Sequence, residues 1–446
     1  MTHVFHRDLR APPPEIVHGE GAWLVDARGR RYLDACGGAA VSCLGHSDAR
    51  VTAAVAAQMD RVSFSHSGFF TNAPAEALAR RLVEAAPAGT GAGRAMMVGS
   101  GSEAMEAALK LARQYHLERG EPERTRIVAR EGSYHGNTLG ALAVGGHAGR
   151  RAPYDPLLMQ IGHVGACHFY RFAHADEDSE AFGRRRVAEL EARLAEIDPD
   201  TVAALVIEPV GGATLGTPTP PAGHLRDLQE LCDRHGILLI ADEVMCGMGR
   251  CGTLYAMEAE GAHADITIVA KGLGAGYQPI AAVIVSERVV DAVEQGSGQL
   301  WNGHTYMSHA AACAGALAVL DAIEVDGLLA RVQTSGERLR GALETAFGNH
   351  PHIGDIRGRG LFRSIEIVAD RTTKAPFDAK LGLAPRIKAL ALEEGLMCYP
   401  AQGCADGTAG DHVLLAPPYT CSDAEIDEIT PRLARAVDRA LTEARA

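Results

Sequence analysis

Ile266-Thr267-Ile268-Val269-Ala270-Lys271 runs directly into the turn Gly272-Leu273-Gly274-Ala275-Gly276. An apolar run of this length before a glycine-rich turn predicts a buried strand that carries a lysine at its end. Only five of the 43 lysine and arginine residues of the chain are lysines. A lysine at this position indicates a need for an amine, because lysine can lose its proton in a buried site and attack a carbonyl carbon, whereas arginine stays charged. The alternative is a structural lysine whose charged end reaches solvent.

Two acidic residues follow the two predicted strands that come before this one. The strand 202–207 leads into Glu208, and the strand 237–241 leads into Asp242. Glu208, Asp242 and Lys271 are 34 and 29 residues apart, which is close to one βα unit in each case. Ligands of open α/β sheets bind beyond the carboxyl ends of the strands, so two carboxylates and an amine are predicted to converge there. Each carboxylate could instead cap the helix that follows its strand.

The alternation of strands and helices predicts an α/β fold with a mostly parallel sheet covered by helices on both faces. Strands are expected at 95–98, 127–129, 202–207, 237–241, 266–270 and 281–285, with helices at 47–62, 75–86, 103–118, 184–197 and 225–235. Further on, helices at 328–347, 384–394 and 423–442 flank brief strands near 361–367 and 412–415. We therefore expect a large domain at 59–325 and a smaller α+β domain at 326–446. The segment 1–58, which contains a hairpin around 22–26, is expected to be part of the smaller domain.

The turn Ser100-Gly101-Ser102-Glu103 has the features of a phosphate site. Ser100 and Glu103 have capping-box spacing, which places the first turn of a helix here, and the free amides of that turn attract anions. The stretch 99–104 also fits a GxGxxA dinucleotide turn, which leaves a dehydrogenase open. A P-loop NTPase is excluded because none of the five lysines follows a glycine.

One cofactor, pyridoxal 5′-phosphate, would use all of these groups. It needs a lysine for its Schiff base, a carboxylate facing the pyridine nitrogen and amides that bind its phosphate. Tyr134 and His135, which follow another predicted strand, could pack against the ring, although an ordinary polar aromatic loop is the alternative.

Composition limits the other classes of function. The net charge of −13 argues against binding to nucleic acid or to an acidic membrane, since both require basic surfaces. The first residues contain no apolar signal segment, and the longest apolar run, 310–320, is too short to span a bilayer, so a cytoplasmic protein is expected. Ten scattered cysteines with no CxxC pair predict reduced, mostly buried thiols rather than a zinc site or disulfides.

The assembled motifs resemble the class III aminotransferases, of the omega-type subgroup II, which are fold type I pyridoxal-phosphate enzymes. They are Ser100–Ala104, Ser133–Gly136, Glu208–Val210, Asp242–Arg250, Ala270–Gly272 and His304–Tyr306, in family order. The resemblance implies that Lys271 is the Schiff-base lysine, that Asp242 faces the pyridine nitrogen and that Gly101 and Ser102 bind the phosphate. It further implies that Tyr134 stacks on the ring beside His135, that Val244 packs on the opposite face and that Glu208 lies nearby. Thr305 is expected to reach the phosphate of the neighbouring subunit, which implies a homodimer with two shared sites.

The sequence also departs from that family. Many relatives carry an arginine shortly before a C-terminal Pro-Pro that binds the substrate carboxylate, but the segment 399–415 contains no arginine before Pro417-Pro418. The sequence thus leaves carboxylate recognition unassigned, and Phe69, Phe70 and Tyr419 are candidates for the substrate pocket.

The function implied is transfer of an amino group from a primary amine or amino acid to a keto acid, such as pyruvate or 2-oxoglutarate, by a ping-pong mechanism. A racemase, mutase or decarboxylase with the same cofactor and a dinucleotide-dependent dehydrogenase are the alternatives. The sequence does not identify the amino donor.

Overall fold

A computed structural model of the chain describes residues 3 to 444. Within them the strands are β1 (Ile16–Glu20), β2 (Trp23–Asp26), β3 (Arg31–Asp34), β4 (Arg94–Val98), β5 (Arg126–Arg130), β6 (Gly162–Val164), β7 (Val202–Ile207), β8 (Leu238–Asp242), β9 (Ile266–Val269), β10 (Ala281–Val285), β11 (Ile353–Arg359), β12 (Phe362–Ile367), β13 (Leu396–Met397), β14 (Tyr399–Gln402) and β15 (Asp411–Leu415).

The helices of the same residues are α1 (Gly37–Ala40), α2 (Ala49–Arg61), α3 (Ala73–Glu84), α4 (Gly101–Glu118), α5 (Leu139–Val144), α6 (Ala148–Arg151), α7 (Phe169–Phe172), α8 (Ser179–Ile197), α9 (His224–His235), α10 (Glu287–Gln295), α11 (Ala310–Val325), α12 (Leu328–Phe347), α13 (Leu383–Glu393) and α14 (Asp423–Glu443). Each helix predicted from the sequence is present, with ends that differ by at most a few residues.

The largest sheet has the strand order β4-β10-β9-β8-β7-β5-β6. Neighbours from β9 to β6 run parallel, and only β10 runs antiparallel to β4 and β9 on its two sides. Apolar side chains of α4 and α10 cover one face, and those of α8 and α9 cover the other. The mostly parallel sheet predicted from the sequence is confirmed. Strand β6 was not predicted, because it is a three-residue edge strand that is only partly buried and has no apolar run.

The first and last parts of the chain share a second core. Strand β3 pairs in parallel with β13, and residues from β3, α12, α13 and α14 pack in one apolar cluster. A separate antiparallel sheet, β11-β12-β15-β14, packs on these helices. The domain limits near residues 58 and 325 stay a prediction.

The cysteines and the helices bear on two expectations from composition. All ten cysteines are buried, as their scattered positions predicted. Within residues 3–444 no helix combines the length and the apolar character needed to cross a membrane.

Candidate active site

The three strand-end residues meet in one cavity. Asp242 is the last residue of β8, while Glu208 and Lys271 lie just beyond β7 and β9. All three line a cavity of about 490 Å³ at the carboxyl edge of the sheet. These strands are neighbours and run parallel, so their carboxyl ends lie at one edge. The convergence predicted from the strand spacing is therefore present in the structure.

Lys271 occupies a strained position at the start of the glycine-rich turn. Its φ of +42° is in the left-handed region, which costs a residue with a Cβ about 1–3 kcal/mol and is found mainly at functional sites. Burial lowers the pKa of its amine to about 8, although the nearby Asp242 and Glu208 carboxylates act in the opposite direction. A fraction of the amines is thus unprotonated near neutral pH, as a nucleophile or base requires.

Asp242 is held in a fixed orientation by two hydrogen bonds. One carboxylate oxygen lies 2.8 Å from Nδ1 of the buried His135, and the other accepts from the Val244 amide at 3.0 Å. Burial opposes protonation of His135, but the hydrogen bond to Asp242 and its charge raise the pKa of the imidazole overall. Within residues 3–444, Nε2 of His135 has no hydrogen-bond partner. His135 therefore orients Asp242 through Nδ1.

Glu208 forms the other acidic wall of the cavity. One of its oxygens accepts from the Gly212 amide at 3.0 Å. Burial is the main cause that raises the pKa of Glu208 to about 7; the charge of His135 acts against this rise, and the charge of Asp242 adds to it. Glu208 can therefore accept or release a proton near neutral pH.

The N-terminus of α4 forms the end of the cavity nearest Gly101. The Ser100 hydroxyl caps the helix by accepting from the Glu103 amide at 3.2 Å, while the Glu103 carboxylate accepts from the Gly99 amide at 2.7 Å. The helix therefore begins where the capping-box spacing of Ser100 and Glu103 predicts, but Glu103 binds the Gly99 amide instead of the Ser100 amide. The Ser102 hydroxyl accepts from the Asn137 amide at 3.0 Å, which ties the helix to the loop that carries Tyr134. First-turn amides have no partner within a helix, so this end of the cavity can bind an anion.

The remaining predicted residues divide into two groups. Tyr134 and Val244 line the cavity, and the Val244 methyl groups lie over Gly101, 3.2 Å from where a Cβ on that glycine would be. Thr305 is exposed in a turn, and it is not one of the described residues that line the cavity of its own chain.

The three candidates for the substrate pocket lie elsewhere in this single chain. Phe69 and Phe70 are 80% and 71% exposed. Tyr419 is not a wall of the cavity, and the expectation for it is corrected. It is buried beneath the turn that follows Lys271, and its hydroxyl donates to the Met248 carbonyl at 2.9 Å. The side chain makes this contact and does not face the cavity, because the backbone after β15 passes under the Lys271 turn.

Sequence reasoning missed several walls of the cavity, of which Gln278 is polar and the others are apolar. They are Val41, Val210, Met245, Gly276, Gln278, Pro279 and Ile280. Gly276 belongs to the glycine-rich turn that the sequence analysis identified, and Gln278, Pro279 and Ile280 come soon after it in the chain. The others carry no chemical signature and come from separate segments, so only the fold brings them together.

Comparison with known proteins agrees with this geometry. The family model for class-III aminotransferases matches residues 5–437. An aminotransferase of Gibberella zeae is 42% identical over 440 residues, which cover 97% of this chain and 85% of that protein. An uncharacterized aminotransferase of Schizosaccharomyces pombe is 41% identical over 437 residues, covering 98% of this chain and 95% of that one. The solved structure of an amine transaminase from an uncultivated Pseudomonas species, in its PLP-bound form, superposes with a TM-score of 0.90 at 34% identity and covers 99% of this chain and 97% of that one. The predicted fold type I architecture is thereby confirmed, and the chain belongs to the class III aminotransferases.

Proposed function

We propose that this aminotransferase holds pyridoxal 5′-phosphate in the cavity at the sheet edge and passes an amino group from a primary amine or amino acid to pyruvate or 2-oxoglutarate. The observation that carries the proposal is that the Lys271 amine, the Asp242 carboxylate and the N-terminus of α4 line one cavity of about 490 Å³. These are the nucleophile, the partner for the ring nitrogen and the phosphate site that the cofactor requires.

The shape of the phosphate end supports this cofactor. Gly136 has a φ of +140°, and a Cβ on it would lie 2.6 Å from the Ser102 hydroxyl oxygen. Only glycine therefore lets the loop that carries Tyr134 approach the first turn of α4 so closely. The amides of Gly101 and Ser102, the Ser102 hydroxyl and the positive end of the helix dipole would hold the phosphate.

The ring end fits as well. Asp242 is only 5% exposed but keeps its carboxylate on the cavity wall, with His135 behind it. A buried carboxylate in this setting favours a protonated nitrogen beside it. We assign Asp242 to the pyridine nitrogen, Tyr134 and Val244 to the two faces of the ring, and His135 to the orientation of Asp242.

Pyridoxal phosphate supplies an electron sink that weakens the bond between the α-carbon of a bound amine and its hydrogen. Lys271 is the group of this chain that can move that proton. Its amine, with a pKa lowered to about 8 by burial, lies on the cavity wall and would act as the base that takes the proton from the α-carbon and then as the acid that returns it. In the first half of the cycle one water would be consumed to release the carbonyl product, and in the second half one water would be released when a keto acid takes up the amino group.

We further propose that the enzyme is a homodimer in which Thr305 reaches the phosphate site of the partner. Thr305 lies in a turn outside its own cavity, next to Tyr306, whose ring contacts Phe64. Tyr306 is 67% exposed and Phe64 is 37% exposed. Exposed aromatic side chains in contact with each other support an interface between protein chains.

Mixing of two inactive variants tests this arrangement. A heterodimer of Lys271→Ala and Thr305→Ala chains contains one intact site only if Thr305 acts across the interface. At low cofactor concentration we expect activity to recover on mixing. Each homodimer should stay impaired, and a mixture no more active than its components would contradict the arrangement.

Absorbance spectroscopy tests the catalytic proposal. The purified enzyme with added cofactor should show a visible band that shifts on addition of amine and returns on addition of keto acid. Lys271→Ala should lose turnover, whereas Lys380→Ala, at an exposed lysine far along the chain, should keep it. A band that responds to amine but never to keto acid would favour a racemase, mutase or decarboxylase. Substantial turnover by Lys271→Ala would refute the assignment of the lysine. The family assignment already favours amino transfer over a dinucleotide-dependent dehydrogenase.

A further inference from the structure

The walls of the cavity contain no fixed positive charge that could receive a substrate carboxylate. Within the described residues, its charged side chains are Lys271, Glu208 and Asp242, with His135 behind them. Lys271 is committed to the cofactor under the function proposed above, and the two acidic residues repel an anion. The segment 399–415 also contains no arginine. A keto acid or amino acid therefore needs a cation from outside these walls.

Arg150 is a cationic residue whose guanidinium is in contact with a wall residue of this cavity. It lies over the ring of Tyr134, a wall residue, with its central carbon 4.7 Å from the ring centroid. The side chain of Arg150 is exposed, and among residues 3–444 it has no carboxylate partner and no side-chain hydrogen bond. Its charge is close enough to contribute to the lowered pKa of Lys271, after the larger effect of burial. It is thus an unpaired cation within electrostatic reach of the reactive amine.

The backbone of Arg150 is positioned by contacts between its helix and the turn between β14 and β15, which belongs to the segment without arginine. Arg150 belongs to the short helix α6, which the buried His147 caps by accepting from the Arg150 amide at 3.3 Å. The turn between β14 and β15 packs directly against it. A Cβ on Gly403 would lie 2.7 Å from the His147 ring, and one on Gly149 would lie 3.0 Å from the Gly407 carbonyl oxygen. Because these glycines allow close approach, α6 brings its arginine to the place where the turn offers none.

We propose that Arg150 binds the carboxylate of the substrate and so determines specificity for amino acids and keto acids over plain amines and aldehydes. This inference rests on the function proposed above and assigns the substrate class of the same cavity. A guanidinium suits the task because its planar fork can donate two parallel hydrogen bonds to a carboxylate. The guanidinium lies over the Tyr134 ring and has no carboxylate partner among the described residues, so its N–H groups are available to a bound carboxylate.

Arg150 lines a second cavity together with a lysine that provides a matched control. It measures about 560 Å³, and its charged lining groups include Arg7, Arg150 and Lys388. Lys388 contributes positive charge to the same region from α13, whereas the cation that lies over the Tyr134 ring is Arg150. The variant Lys388→Gln therefore measures how much a nearby positive charge in general affects kcat/KM, and Arg150→Gln measures the effect of the proposed contact with the carboxylate.

The test compares a keto acid with a neutral molecule of the same shape. Pyruvate and pyruvamide differ only by an amide in place of the carboxylate, and each can accept the amino group in the second half-reaction. For Arg150→Gln we expect kcat/KM with pyruvate to fall about 10- to 100-fold, mostly through KM, because a hydrogen-bonded charge pair is lost. The value with pyruvamide should change by less than about 3-fold, because no charge pair is lost there. Arg150→Lys, which keeps the charge but not the fork, should be intermediate, and Lys388→Gln should resemble the wild type with both acceptors.

Three results would overturn the inference. An equal fall with both acceptors would make Arg150 a support for Tyr134 only. No change with either acceptor would place carboxylate recognition elsewhere. A wild-type enzyme that uses pyruvate and pyruvamide equally well would show that the carboxylate is not recognised, while the aminotransferase function would stand. Failure of the wild type with every amine and acceptor would instead refute the proposed function.

Discussion

Replacement of Gly136 by alanine tests how closely the cofactor loop must approach the first turn of α4. The new Cβ would lie 2.6 Å from the Ser102 hydroxyl oxygen and 2.8 Å from the Ala141 Cβ, so the backbone must move. The φ of +140° adds strain of about 1–3 kcal/mol, and the crowding adds about 1–3 kcal/mol. We expect the free energy of unfolding to fall by about 2–6 kcal/mol in total.

A second glycine separates these two contributions. Gly120 has a φ of +74°, and a Cβ there would meet no atom within 4 Å. Gly120→Ala should therefore cost only the strain, about 1–2 kcal/mol. Urea unfolding at a fixed protein concentration measures both variants. Equal losses of stability would refute the argument from close packing.

The same substitution should weaken cofactor binding. Tyr134 and His135 directly precede Gly136, and a shift of the loop moves both of them relative to Asp242. A displacement of about 1 Å at such a site can cost about 100-fold in activity. Titration with pyridoxal phosphate should show weaker binding for Gly136→Ala and unchanged binding for Gly120→Ala. Normal affinity in a destabilised Gly136→Ala variant would mean that the loop does not position the ring.

Two further variants test buried charges. Glu366→Gln leaves the guanidinium groups of Arg171 and Arg357 without the fully buried carboxylate they share, and denaturant titration should show a loss of about 3–5 kcal/mol. Lys271→Met should stabilise the enzyme without cofactor. Burial lowers the pKa of Lys271 from 10.5 to about 8, so at pH 7 the folded wild type carries a penalty of about 3 kcal/mol. Since the unfolded chain binds more protons between the two values, that gain should shrink as the pH rises from 8 towards 10.5.

Exposed groups provide the controls for both variants. Arg340 and Glu344 form an ion pair whose side chains are 42% and 51% exposed, so Glu344→Gln should cost at most about 1 kcal/mol. A loss as small for Glu366→Gln would show that the buried carboxylate is not essential. Lys380→Met, at an exposed position, should change the free energy of unfolding by no more than about 0.5 kcal/mol. A gain for Lys271→Met that is the same at pH 7 and pH 10 would rule out the titration of the amine as its cause.

The residues at the strand ends were predictable because two local signals define them. A fully buried strand has a continuous apolar run, and the length of one βα unit sets the distance to the next. Both signals are strong for β7, β8 and β9, whose residues are all buried. Glu208, Asp242 and Lys271 therefore followed from the sequence without knowledge of the packing.

Tyr419 shows where this reasoning stops. Its place near Pro417 made a pocket wall plausible, but the side chain lies under the Lys271 turn and over Arg250, whose guanidinium carbon is 4.6 Å from the ring centroid. The direction of that side chain depends on how the backbone after β15 crosses a turn about 150 residues earlier. No local pattern encodes such a crossing.

Arg150 was missed for a related reason. Helix α6 has only four residues, too few for an apolar period, and an exposed arginine has no distinguishing neighbours in the sequence. The sequence shows that segment 399–415 lacks an arginine, but it does not show which distant segment packs against it. The glycines at 149, 403 and 407 create that contact, because each lacks the Cβ that would hold the two segments apart. If Arg150 binds the carboxylate, substrate specificity depends on this long-range contact. A wider contact, as in Gly403→Ala, should therefore lower kcat/KM with pyruvate more than kcat/KM with pyruvamide, although Arg150 itself is unchanged.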